Sequence, residues 1–176
     1  MCYSAQIQAD YRRYVKMFGA QMDIREFTRL FWERAEGSKA KIPKAMEDAF
    51  REPATDDERQ INTFIDRFNA EQATRLEQDL FKQRTRLADA ERTLQTKVTK
   101  AATESKRIAT DKIDAALRRL TDLSRCEPEP RDSRIFPGYY APVLVVEDGQ
   151  YVLKPMRYQC RIAGKPANYD IKYPGN

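Results

Sequence analysis

Apolar positions recur at helical spacing through the first two-thirds of the chain and at strand spacing only near its end. In Ala5–Phe18, the residues Ile7, Tyr11, Tyr14, Val15 and Phe18 share one helical face, and Gly19 is placed to end that helix. Asp23–Glu36 repeats the pattern with Ile24, Phe27, Leu30 and Phe31, and Gly37 closes it. Trp32 sits beside that stripe, where a large core or rim aromatic is the ordinary role and ligand stacking the rarer one. Pro43 fits the first turn of a short helix reaching Phe50.

Residues 55–124 read as one long helical region. Thr55 with Glu58 three residues later is a capping-box pattern, and Asp56 and Asp57 favour a helix start. No Gly or Pro occurs between Pro53 and Pro128, while apolar residues from Ile61 to Leu123 recur at coiled-coil spacings. A straight helix of this length would run roughly 100 Å at ~1.5 Å per residue. Both its ends must rejoin sequence of globular character, so an antiparallel hairpin is expected. The reversal belongs within Thr93–Thr110, where the stripe is weakest and Thr93, Thr96, Thr99, Thr103 and Thr110 lower helix propensity. That stretch lacks Gly, Asn and Pro, so one long or bent helix is the alternative. The arm reads either as an inserted structural element with a solvated face or as a surface for self-association or a protein partner.

Residues 125–176 change character. Cys126–Pro130 is a linker bearing proline and glutamate. Val143–Glu147 and Gln150–Leu153 are β-rich and flank Asp148-Gly149, a two-residue hairpin signal. Arg157–Arg161 is a candidate extension of the second strand, and Gly164-Lys165-Pro166 and Tyr173-Pro174-Gly175 are turn punctuation. A lone hairpin is not independently stable. The expected class is therefore α+β, in three segments: N-terminal helices over 1–54, a helical insertion over 55–124, and the first strands of a larger sheet over 125–176.

Composition narrows the chemistry. The 176 residues are 41% apolar and 34% charged, with a net charge of +5. The basic excess is spread among nearly as many acids, a mild bias toward polyanions such as nucleic acid. There are no histidines, which removes the commonest general base and the commonest zinc ligand. The three cysteines, Cys2, Cys126 and Cys160, are far apart and show no CxxC spacing. Neither a metal site, a cofactor site nor a disulfide framework is expected. The longest strongly apolar run, Val143–Val146, is far too short to span a bilayer, and a soluble cytoplasmic protein is expected.

Cys2 is the most chemically pointed residue. Removal of Met1 would leave one residue carrying a free α-amine and a thiol on adjacent carbons. The amine can form a Schiff base with an aldehyde, and the thiolate can then close a five-membered thiazolidine. An α-amine titrates near ~7.7–8.0, so much of it is neutral at cellular pH.

Three segments carry a family resemblance: Met1-Cys2-Tyr3-Ser4, then Phe136-Pro137-Gly138-Tyr139-Tyr140-Ala141-Pro142-Val143, then Lys154-Pro155-Met156-Arg157-Tyr158. They resemble the SRAP family, the SOS-response-associated peptidase or abasic-site processing proteins, in a longer bacterial branch with a helical insertion. The resemblance implies a compact α+β domain around a β-barrel-like sheet and a basic cleft for single-stranded DNA. It implies loss of Met1 by self-processing or otherwise, and a thiazolidine cross-link between Cys2 and the aldehyde of an abasic deoxyribose. Such a protein would be cytoplasmic, and nucleoid-associated when on DNA. Arg157 and Arg161 are candidates for phosphate contact.

The chain departs from the family pattern in places. The family usually reads Met-Cys-Gly-Arg, whereas Tyr3 and Ser4 follow the cysteine here. After a segment like Tyr173-Pro174-Gly175 the long branch continues into Tyr-Asn-Ala-Arg, and Asn176 falls too early to take that asparagine's place. The family's catalytic glutamate and histidine have no counterpart in this chain. The sequence is therefore expected to be the N-terminal part of such a domain, with peptidase activity impaired.

Overall fold

The computed structural model describes residues 4–7, 10–159, 164–166 and 169. The fold is α+β, and the chain divides into two compact units, 1–66 with 128–176, and 67–127.

In the first unit the helix expected from Ala5 starts only at Tyr11. Ala5–Gln6 is instead a strand, β1, antiparallel to Arg134–Ile135 (β3), and the Ile7 N–H reaches the Ser133 carbonyl at 2.9 Å. Distant backbone partners thus outcompete a local helix. Asp10 then starts helix α1, Tyr11–Phe18, its carboxylate accepting from the Arg13 N–H at 3.2 Å. Gly19 ends that helix with φ +61°, a conformation open to glycine at little cost.

Strand β2 is Gln21–Met22. Helix α2, Ile24–Ala35, is capped by Asp23, which accepts from the Glu26 N–H at 3.3 Å. Its stripe of Phe27, Leu30 and Phe31 is buried. Helix α3, Lys44–Asp48, follows Pro43. Phe50, fully buried, is the hub of the core: the rings of Tyr11, Phe31 and Phe27 lie 5.1, 5.6 and 5.8 Å from its centroid. Burying each such ring stabilises the fold by roughly 1.5–3 kcal/mol. Arg34, also buried, donates to Glu47 at 2.5 Å and ties α2 to α3.

Helix α4 is Asp56–Thr96. Its capping box is half formed. The Glu58 N–H reaches Thr55 Oγ1 at 3.3 Å, but the Glu58 carboxylate takes the N–H of Ala54, at 2.6 Å, rather than that of Thr55. Ile61 and Ile65 from this first stretch of α4 complete the core, together with Leu153.

The second unit contains the rest of α4 and helix α5, Lys100–Ser124. The reversal falls at 97–99, where Thr99 caps α5 by accepting from the Ala102 N–H at 3.2 Å. No glycine is needed, because a capping threonine and an extended backbone make the turn. Arg86 to Ser105 (2.8 Å) and Lys106 to Glu91 (3.0 Å) bridge the helices, and Ala102, Ala109 and Ala116 are buried along the seam at heptad spacing.

In the expected linker Cys126–Pro130, Pro130 already opens a short 3-10 turn, Pro130–Ser133, boxed by Glu129 and Asp132. Strands β4, Tyr140–Glu147, and β5, Gln150–Arg157, pair antiparallel around Asp148-Gly149, with φ +50° and +77°. Both strands outrun the expected Val143–Glu147 and Gln150–Leu153. Pro142 and Pro155 look like strand breakers, but they face each other in a pair that exchanges no hydrogen bonds, as prolines must. Strand β2, which carries no periodic signal, adds in parallel to β5 at Val152 and Leu153. The second strand ends at Arg157, short of the proposed extension, and Arg161 and Tyr173–Gly175 lie outside the described residues. Leu144 and Leu153, directly opposite, face the core and anchor the sheet to the helices.

Candidate nucleic-acid interface

Two of the segments quoted for the family resemblance, Phe136–Val143 and Lys154–Tyr158, come together in the first unit, and Met1–Tyr3 of the other lie outside the described residues. Strand β1, three residues after Cys2, pairs with β3 immediately before Phe136. Past Phe136, the Gly138 N–H donates to the Tyr158 carbonyl, and the Tyr158 N–H donates to the Tyr139 carbonyl, each at 2.7 Å. Gly138, at φ +91°, makes the turn that lets this crossing form. The next ladder pair sets Tyr140 opposite Arg157, so the two side chains share a face of the sheet.

Lys41 joins the same corner from the loop before α3. Its carbonyl accepts from the Tyr140 N–H at 2.8 Å, and its ammonium lies 5.7 Å from the centre of the Tyr139 ring. Phe136 meets Tyr139 edge-on at 5.8 Å. The corner therefore combines aromatic rings (Phe136, Tyr139, Tyr158) with exposed cations (Lys41, Arg134, Arg157). Arg134 and Arg157 make no ion pair among the described residues. Lys154 differs, being held by Glu147 at 2.7 Å and Asp23 at 3.6 Å. Aromatic rings beside unneutralised cations are the residue types that single-strand binding sites combine.

A cavity of about 830 Å³ elsewhere in this unit is a poor alternative for a polyanion. Asp10, Asp48, Glu52, Glu129 and Asp132 line it against only Arg12 and Arg51.

Of the residues singled out from sequence, Arg157 lies in the aromatic–basic corner. Cys2 and Arg161 lie outside the described residues. Lys41, Arg134 and the Tyr139 ring contact were missed. Gly138 between aromatics was a turn signal, but nothing in the sequence ties Lys41 to Tyr139, 98 positions away (139 − 41 = 98). Among the described residues no group of three His, Cys, Asp or Glu side chains is arranged to hold a metal ion, and no helix is long and apolar enough to cross a membrane.

A scan against known protein families matches none, and comparisons with characterised proteins and with solved structures also return no match.

Proposed function

We propose that this chain captures abasic sites in single-stranded DNA through Cys2, as the resemblance to the SRAP family implies. With Met1 gone, the α-amine of Cys2 condenses with the open-chain aldehyde of the abasic sugar and releases water. The thiol then adds across the carbon–nitrogen double bond and closes a thiazolidine; no oxidant or metal takes part. The observation that carries this reading is the meeting of two of the matching segments, with Tyr140 opposite Arg157 in one ladder, and β1 paired just ahead of Phe136. Ala5, three positions after Cys2 in the sequence, pairs with Ile135 next to that corner, which supports the reading. Arg157 and Arg134 supply phosphate contacts and the rings supply base stacking.

The test uses Met1-processed protein and an oligonucleotide bearing one abasic site. A heat-stable adduct should form with wild type and be absent with Cys2→Ala. Cys126 is an exposed thiol but carries no free amine, so it can form only a reversible hemithioacetal. Equal adduct from Cys2→Ala would sink the proposal, as would retention of Met1 in the mature protein.

A second reading makes the helical hairpin a scaffold arm. Phe81, 74% exposed on α4, favours it. A defined dimer in light scattering that is lost in Phe81→Ser would support it, and a monomer would count against it.

A further inference from the structure

The only tryptophan of the chain, Trp32, lines a groove that shares no residue with the corner just described, and it is not part of the buried core cluster. Trp32 is 47% exposed, although its neighbour Phe31 is fully buried. Arg25, Thr28 and Arg29 precede it by seven, four and three positions, so all four share one face of α2. Asp57, Gln60 and Phe64 repeat that spacing on the first turns of α4, within the same unit. The two faces line a groove of about 380 Å³.

The polar groups of this groove are unequally engaged. Arg29 is held between Glu26 at 2.8 Å and Glu33 at 3.7 Å, and the Thr28 hydroxyl donates to the Ile24 carbonyl at 2.9 Å. Arg25, Asp57 and Gln60 make no side-chain hydrogen bond or ion pair among the described residues. One open groove thus offers a flat aromatic face, an unspent cation, an unspent acceptor and an unspent amide.

We infer that this groove binds one unpaired nucleotide of a single strand. The base stacks on the Trp32 indole, Asp57 and Gln60 meet the hydrogen-bonding edge of the base, and Arg25 meets the flanking phosphate. An apolar peptide side chain would use the ring but leave those three polar groups without partners. A duplex presents no free base face, so the groove selects single strands. The inference takes from the proposed function only that the polymer is single-stranded DNA; it does not involve Cys2.

Because the chain has one tryptophan, its fluorescence reports from this groove alone. Titrating the full chain at low salt with an intact, mixed-sequence single-stranded oligonucleotide should quench Trp32 saturably, and the matching duplex should not. By anisotropy of the labelled oligonucleotide, Trp32→Ala should weaken binding by about tenfold, the scale of one lost base–aromatic stack. Trp32→Phe, which keeps a ring, should recover most of that loss, and Arg25→Gln should weaken binding and flatten its salt dependence. Circular dichroism checks that each variant is folded. Emission unchanged at saturating oligonucleotide overturns the inference, as does wild-type affinity in Trp32→Ala. Quenching by an aromatic peptide but not by the oligonucleotide overturns it in favour of a peptide site. Running both assays on the Met1-processed wild type separates the two proposals: quenching without abasic adduct leaves this site standing alone, and adduct without quenching removes this site alone.

Discussion

Tyr11 and Glu58 meet across 47 positions of sequence, the phenol donating to the carboxylate at 2.6 Å. The same carboxylate accepts from the Ala54 N–H at 2.6 Å and pairs with Arg12 at 3.3 Å. One buried acid therefore fastens the first helix to the start of the fourth. Burial alone pushes the Glu58 carboxyl up, but the hydrogen bonds from Tyr11 and Ala54 and the charge of Arg12 outweigh it and hold the group below its ordinary range. A carboxyl depressed in the folded state adds stability that is complete above its unfolded pKa, near ~4.3, and is lost as pH falls through the folded value. Glu58→Gln should therefore be less stable than wild type at neutral pH, by about 1–3 kcal/mol, with the gap closing below about pH 4. Urea midpoints of both proteins across that range measure it, and a gap independent of pH would refute the assignment. Tyr11→Phe should cost about 1 kcal/mol at neutral pH.

Gln83 sits in the seam of the helical hairpin, only 8% exposed, in register with Leu76 and Ala90 at seven-residue spacing. Its amide nitrogen donates to Asp79 at 3.3 Å, but its buried oxygen has no hydrogen-bond partner. An unsatisfied buried acceptor costs about 1–3 kcal/mol. Gln83→Leu keeps the size and removes the orphan, so it should raise the thermal midpoint by several degrees. A lower midpoint in calorimetry would mean the amide has a partner in solution.

The Asp148-Gly149 turn makes a sharper, position-by-position prediction. Gly149 at φ +77° has open space where a Cβ would stand, so a methyl group there meets backbone strain and no clash. Gly149→Ala should cost about 1–2 kcal/mol, the penalty for a left-handed residue with a Cβ. Asp148→Gly, at φ +50°, should be neutral within about 0.5 kcal/mol, since Asp already tolerates that region. Chemical denaturation of the pair of variants distinguishes them, and equal effects would exclude this turn geometry.

What was legible in the sequence was local. The stripe Phe27, Leu30, Phe31 and the helix-ending Gly19 are written within a few residues of the helices they serve, whereas the capping role of Thr99 was hidden among threonines read as weak helix formers. The two-residue strands β1 and β2 were not legible, because they are too short to show a period. Their partners, Ile135 and Val152, are more than a hundred positions away. Tyr11 fitted a helical stripe, but its bond to Glu58 is a tertiary event that no spacing encodes. In the candidate site the motif residues Tyr140 and Arg157 could be named in advance; that they face each other depends on the register set by the Asp148-Gly149 turn.

That register gives the last prediction. Arg157 is exposed, free of ion pairs among the described residues, and opposite Tyr140, whereas Lys154, three residues earlier, is already neutralised by Glu147 and Asp23. If the corner holds phosphates, only the first charge displaces counterions from DNA. Arg157→Ala should weaken single-stranded binding at every sequence tested and reduce the slope of log affinity against log salt by about 0.7, the value for one phosphate contact on a single strand. Lys154→Ala should leave that slope unchanged while lowering stability slightly. Anisotropy titrations of the two variants at several salt concentrations decide between them: an Arg157→Ala slope equal to wild type would place the DNA elsewhere on the molecule.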